Sequence, residues 1–277
     1  MKRYLYVLIV LLCFYNSFGQ IKKDTAKTTE PLYKINRLTS SIIVGSGFVT
    51  NAVGLKILDD RSEVTETDLF NLNRNDVPKF ERWILNQDSN DFDRWHNSSD
   101  FVMRSSLLLP VTLFAHKRIR HQALDYTLMY LKAHAINANF YTFGIPQFYR
   151  KNRPIVYYED IDIEKRTGVR LSNSFYSGHV SVTATSFFFM ARVYQDLYPE
   201  RNKIVPLAIA GGATAFVAYG RIKAAKHFLT DVVFGAAVGG LIGYYTPYFH
   251  RKNRDGKKKS ALKFDAGYKS FRLAYIF

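Results

Sequence analysis

Apolar positions in this chain gather into blocks of helical length, divided by polar and basic loops; strict alternation is confined to the C-terminal end. The segment 38–57 is apolar but rich in Gly, Ser and Thr, with Asn51 inside it, which makes it borderline as a membrane span. From 58 to 100 acidic side chains outnumber basic ones, and Trp83 and Trp95 stand among Asp and Asn. That stretch reads as a water-exposed helical insertion. Helical blocks follow at 101–115, 123–143, 180–194, 204–219 and 228–245. The block at 123–143 carries Lys132, His134 and several Asn, so neighbouring helices must shelter its polar positions. Blocks 204–219 and 228–245 are the clearest apolar helices, and Gly211-Gly212 and Gly239-Gly240 in them permit close helix packing. Residues 250–260 form a basic tail, and 264–277 alternates like a strand or hairpin. The pattern predicts an all-α helical bundle, multi-pass in a membrane, with a short β-like C-terminal tail.

Charge adds a constraint on partners. The 277 residues include 39 Lys+Arg against 23 Asp+Glu, a formal net charge of +16, while 47% are hydrophobic. Such a chain is too apolar to be disordered and too long to be a stapled mini-domain. Its charge calls for nucleic acid, anionic lipid or an anionic substrate. The N-terminus narrows the choice. Met1-Lys2-Arg3, the apolar run 4–15 and the small residues Ser17 and Gly19 read as a secretory signal over 1–19, with a mature chain from Gln20. The lone cysteine, Cys13, falls inside that segment behind the bulky Leu12, so neither a lipoprotein anchor nor a cysteine metal site is expected. Export argues against a nucleic-acid partner and for a membrane. Basic loops at 116–121, 201–203 and 250–259 follow every second apolar helix, which puts them on the cytoplasmic side. Loops 144–179 and 220–227 then share the external face. With the mature N-terminus also outside, 38–57 is expected to lie along the interface or to pack without spanning.

Those two external loops hold the candidate chemistry. Arg153-Pro154 lies in the first, and Ser177-Gly178-His179 stands where that loop enters a helix. Arg221, His227 and Asp231 follow where the second loop enters its own. His227 and Asp231 are four apart, a spacing at which helical side chains meet. A carboxylate on one imidazole nitrogen would fix the tautomer and sharpen the other as a nucleophile. Ser177, Gly178 and His179 open a helix, whose free amides and dipole favour a phosphate, and Gly178 lets the backbone approach it. Arg153 and Arg221 supply planar charged forks for phosphate oxygens. His179 beside such a cradle could protonate a leaving alkoxide.

In this order the motifs resemble the type 2 phosphatidic acid phosphatases, relatives of bacterial non-specific acid phosphatases and vanadium haloperoxidases. The family pattern is Lys, six residues, Arg-Pro; then Pro-Ser-Gly-His; then Ser-Arg, five residues, His, three residues, Asp. The resemblance covers roughly 95–248, leaving 20–94 as a lead-in with the insertion and 249–277 as the tail. It implies that His227 is a nucleophile forming a phosphohistidine, oriented by Asp231, and that His179 is the general acid. Arg153, Arg221, Ser177 and the Gly178 amide would bind the phosphate, with no metal or cofactor. Three positions depart: Pro146 stands where the family lysine is expected, Tyr176 precedes Ser177, and Gly220 precedes Arg221. Arg150 and Lys151 are near enough to stand in for the lysine. The expected activity is hydrolysis of phosphomonoester or pyrophosphate bonds of lipid phosphates at the periplasmic face of the inner membrane. The alternatives are a soluble periplasmic acid phosphatase and a catalytically weak member that binds anionic lipid.

Overall fold

The computed structural model describes residues 31–252, 261–267 and 270–276; the signal assigned to 1–19, its Cys13 and most of the basic tail lie outside the described residues. Six long helices make the body: α1 (Arg37–Arg61), α2 (Phe92–Leu108), α3 (Ala123–Phe143), α4 (Gly178–Leu197), α5 (Ile204–Lys223) and α6 (Leu229–His250). Strands β1 (Ala261–Gly267) and β2 (Ser270–Ile276) pair antiparallel, from Ala261 opposite Ile276 to Gly267 opposite Ser270. The helical fold and the C-terminal hairpin agree with the alternation pattern.

Helix α4 is the axis of the bundle, buried along most of its length and packed against α2, α3, α5 and α6. Its closest neighbour is α6. Gly235, Gly239 and Gly243 recur every fourth residue on α6, and a Cβ at any of them would collide with the backbone oxygen of Ser177, Ser181 or Thr185 on α4. Three glycines on one face therefore let two backbones meet, and Thr185 Oγ1 donates across to the Gly239 carbonyl at 3.3 Å. Of the sequence-predicted packing pairs, Gly239 does this work, whereas a Cβ at Gly211 or Gly212 would meet open space.

Among the described residues, three helices are long and apolar enough to cross a membrane: α1, α5 and α6. By length and composition α1 qualifies as a span, whereas the loop topology placed 38–57 along the interface or packed without crossing. The polar residues that make it borderline face α3: Thr50 Oγ1 donates to Asn139 Oδ1 at 2.7 Å, and Asn51 Nδ2 to the Ala138 carbonyl at 3.0 Å. Leu38, Ile42, Val49 and Val53 point outward, exposed as a lipid-facing surface would be. The polar positions of α3 are sheltered as expected, with His134 Nε2 3.2 Å from Ser186 Oγ on α4.

Two other expectations change. The block 101–115 is not one helix: α2 stops at Leu108 and a 3₁₀ segment, Leu109–Ala115, continues, because Pro110 has no N–H for the α ladder. The insertion 58–100 is not wholly water-exposed either. Val77, Ile84 and Leu85 are buried in a cluster with Val180, Phe228 and Val232, and Glu81 is buried beside them.

Candidate active site

The α5 C-terminus and the turn after it set up the second loop. The Lys226 N–H donates to the Arg221 carbonyl and the Ala225 N–H to the Ile222 carbonyl, each at 3.0 Å, a Schellman closure with Ala225 at φ 52° in the place usually held by glycine. This turn drops His227 back beside Arg221. The first loop is sewn onto it: the Ile155 N–H donates to the Ala225 carbonyl at 2.9 Å, and the Ser177 N–H to the Asp231 carbonyl at 3.0 Å. The two loops expected to share a face thus meet.

His227 is fully buried, and its Nδ1 lies 2.7 Å from the Ser174 carbonyl oxygen. A carbonyl can only accept, so Nδ1 carries the hydrogen and Nε2 keeps its lone pair. Asp231 Oδ2 is 4.0 Å from Nδ1, beyond hydrogen-bond reach. The expected direct His227–Asp231 pair is absent, because His227 precedes α6 and helical i,i+4 spacing does not hold there. Asp231 acts at one remove: Oδ2 accepts from Ser174 Oγ at 2.5 Å and from the Phe228 N–H at 2.7 Å, which fixes the segment whose carbonyl holds His227. Its Oδ1 accepts from Lys151 Nζ at 2.8 Å.

Lys151 does not replace the family lysine. Its ammonium also donates to Glu81 Oε2 at 3.0 Å and Thr230 Oγ1 at 2.9 Å, so its three donors are all taken within the protein. Arg150 is exposed and lines a cavity with Pro146, Arg61 and Ser172 instead of entering the His227 pocket.

The phosphate-binding candidates do come together. Arg153, Arg221 and His179 all act electrostatically on His227, and burial first, then these cations, holds its pKa well below the ordinary 6.5. Arg153 Nε, Arg221 Nε and Ser177 Oγ are buried without a hydrogen-bond partner. Ser177 caps α4 by position but not by its side chain, so the hydroxyl is unused. A Cβ at Gly178 would sit 3.4 Å from the Tyr141 ring, an ordinary contact, so the glycine opens backbone there rather than avoiding a clash. Unsatisfied buried donors are costly, and these are the groups that the sequence pattern marked for an anion.

Four residues escaped sequence reasoning. Asp100 Oδ1 lies 3.1 Å from His179 Nε2 and 2.9 Å from Arg221 Nη1, and so couples the two. Burial alone would raise its carboxyl; the His179 hydrogen bond and surrounding cations overcome this and bring it down to about 2. His96 Nδ1 is 3.0 Å from Arg221 Nη1. Glu81 holds Lys151. Lys226 lies in the second loop, and burial, then the Arg153 and Arg221 guanidiniums, push its ammonium down to about 8. The spacing of His96 and Asp100, four apart at the threshold of an apolar helix, was a readable signal; nothing local marked Glu81.

Residues 123–255 match the family described as the PAP2 superfamily. A curated relative, the lipid A 4'-phosphatase of Porphyromonas gingivalis, is 32% identical over 111 residues, which are 39% of this chain and 44% of that protein. The chain thus spans less than half the length of the relative it matches. No solved structure matches at a significant level.

Proposed function

We propose, from the match of residues 123–255 to the PAP2 superfamily, that this protein is a lipid-phosphate phosphatase working through a phosphohistidine. The observation that carries the reading is the set of unpaired buried donors, Arg153 Nε, Arg221 Nε and Ser177 Oγ, gathered with a His227 whose Nε2 keeps its lone pair. A phosphoryl group placed there would have its oxygens met by two guanidiniums, the hydroxyl and the Gly178 amide at the α4 N-terminus. His227 Nε2 attacks phosphorus as the bond to the leaving oxygen breaks, and His179 gives that oxygen its proton. Water then attacks the phosphohistidine and gives a proton to His179, which releases phosphate and restores His227. Asp100 positions His179 and Arg221 together. Asp231 and Lys151 position Ser174, and through its carbonyl His227.

A lipid substrate is supported by the three apolar helices, two of which flank the site: α5 carries Arg221, and α6 begins two residues after His227. Phosphatidate, phosphatidylglycerophosphate, polyprenyl pyrophosphate and lipid A phosphates are the candidates, with the site on the periplasmic face. Hydrolysis should survive detergent extraction but stay with membranes on osmotic shock; release of activity by shock alone would favour a soluble acid phosphatase.

One observation supports a weaker member: Pro146 brings no lysine to the pocket and Lys151 is fully engaged. Lys226, which feels the charges of Arg153 and Arg221, is a candidate for that role. The deciding experiment is a panel of lipid phosphates and small phosphoesters with His227→Ala as control. The variant should stay folded and lose on the order of 10⁴-fold in rate. Equal rates would remove His227 as nucleophile, and no wild-type turnover of any substrate would leave a lipid-binding protein.

A further inference from the structure

The acidic insertion ahead of α2 holds two large apolar side chains in the open at the catalytic end of the molecule. Its 3₁₀ helix, Lys79–Asn86, turns every three residues, so Phe80 and Trp83 share one ridge while Glu81 and Ile84 share the next. The two ridges have opposite surroundings. Glu81, Ile84 and Leu85 are buried, whereas Phe80 is 59% exposed and Trp83 48%. Core packing explains the inner ridge and leaves the outer one without a reason.

The place of this helix in the fold supplies one. Glu81 Oε1 accepts from the Thr230 N–H and from the Thr230 hydroxyl, each at 2.8 Å, in the first turn of α6. Lys223, the last residue of α5, donates from Nζ to Gln87 Oε1 at 2.8 Å, just past the 3₁₀ helix. Beneath it, Ile84 and Leu85 share a buried cluster with Val217 and Ile222 of α5 and Val232 of α6. The helix therefore straddles the ends of two helices that are apolar enough to cross a membrane. At the end of a span hydrocarbon gives way to headgroups, and amphipathic aromatic rings collect at that depth. Tyr219 lies at the same end of α5, half exposed and T-shaped against Trp95 at 5.1 Å. Lys79 is exposed beside Phe80, a cation placed for lipid phosphates.

We propose that Phe80 and Trp83 form an interfacial anchor, which enters the lipid surface at headgroup level beside the His227 pocket. The inner ridge ties that depth to the site. Glu81 stands next to Phe80 and accepts from Lys151 Nζ at 3.0 Å; Lys151 reaches Asp231, which accepts from Ser174 Oγ, and the Ser174 carbonyl holds His227. The depth at which the outer ridge rests thus sets the height of the pocket relative to the lipid phosphates. The lipid contact stands apart from the phosphatase reading, and only its effect on turnover rests on that reading.

The test uses the full chain in vesicles of phosphatidylcholine and phosphatidylglycerol. Subtracting the emission of Trp83→Phe from that of wild type isolates Trp83 from Trp95, the other tryptophan. Phosphatidylcholine brominated near the top of its acyl chains should quench this difference emission more than aqueous acrylamide does. Stronger quenching by acrylamide would put the ridge in water, and quenching by neither would mean that protein covers it, a second copy included; either result overturns the anchor. Turnover gives the second readout. Phe80→Ser/Trp83→Ser should lower kcat/KM for dioleoyl phosphatidate in the vesicles roughly 10-fold, because the pocket loses its height over the headgroups. Hydrolysis of soluble p-nitrophenyl phosphate by the same preparation should be unchanged. Equal losses on both substrates, or none on either, would overturn the positioning. If wild type hydrolyses neither substrate while quenching by the brominated lipid persists, the phosphatase reading fails and the anchor stands.

Discussion

Arginines are buried near both ends of α4, but in opposite states. At the C-terminal end Arg192 donates to Asp196 Oδ1 at 2.8 Å and to the Tyr244 hydroxyl at 3.3 Å, and stacks 4.8 Å from the Tyr248 ring centroid. Asp196 is also held by Arg251 at 2.7 Å and by the Tyr33 hydroxyl at 3.2 Å. About 20 Å along the helix, at 1.5 Å per residue, Arg153, Arg221 and Ser177 each keep a buried polar atom with no partner. The first cluster is saturated and ties the N-terminal segment and the end of α6 to the axis of the bundle. The second gives up stability to leave donors free, a cost that persists where a ligand supplies the missing acceptors. Between them the glycine stripe of α6 lets the backbones touch, so the two ends are joined by a rigid contact.

The comparison breaks most sharply at Asp196. Asp196→Ala leaves Arg192, Arg251 and Tyr33 without their shared acceptor and should cost about 3–5 kcal/mol, read as a fall in Tm in detergent, with kcat of the folded protein little changed. An unaltered Tm would mean the cluster holds nothing together. The reverse is expected at the other end. Arg153→Met should slow hydrolysis roughly 100–1,000-fold without lowering Tm, because the lost guanidinium Nε has no partner in the protein. A Tm loss equal to that of Asp196→Ala would erase the distinction.

Gly239→Ala pushes a methyl into the Ser181 carbonyl and should cost about 1–3 kcal/mol; because it displaces α4, melting and kcat should suffer together. A change in only one would show that the ends are not mechanically joined. The smallest effect concerns pH. His227 is held neutral by burial and by Arg153 and Arg221, so its nucleophilic form persists as pH falls through 6.5, and the acid limb of kcat/KM should lie below that value. The sign for stability follows: the unfolded ring gains a proton near pH 6.5 and the buried one does not, so its contribution is complete above 6.5 and declines as pH falls toward the folded value. An acid limb of wild-type kcat/KM above 6.5 would contradict the neutral, buried state of this ring.

Much of the site was legible because its motifs are local: Arg221, His227 and Asp231 lie within one turn and one helix start, and Ser177 opens α4. What was missed came from elsewhere in the chain. The group that orients His227 is a main-chain carbonyl, which any residue at position 174 could supply and no composition reveals. Glu81 reaches Lys151 from an acidic stretch that reads as solvated. Lys151 and Arg150 are adjacent, yet one is drawn inward by Glu81 and Asp231 while the other faces a separate cavity; sequence proximity to the missing lysine could not separate them. For α1 the polar residues made the segment borderline, since counting does not show which neighbour those residues face.

Periodicity, length and apolar content were enough for the helical class, the strand-like end and the loops that carry chemistry, because each depends on residues close in sequence. The tertiary structure alone decided which donors are spent and which are free. A hydrogen bond to Asp231 consumes Lys151, the Nε of Arg153 and of Arg221 stays unpartnered, and three glycines set the helix separation at which this holds. These are long-range matters of distance and burial, and a buried polar group acts by whether it has a partner.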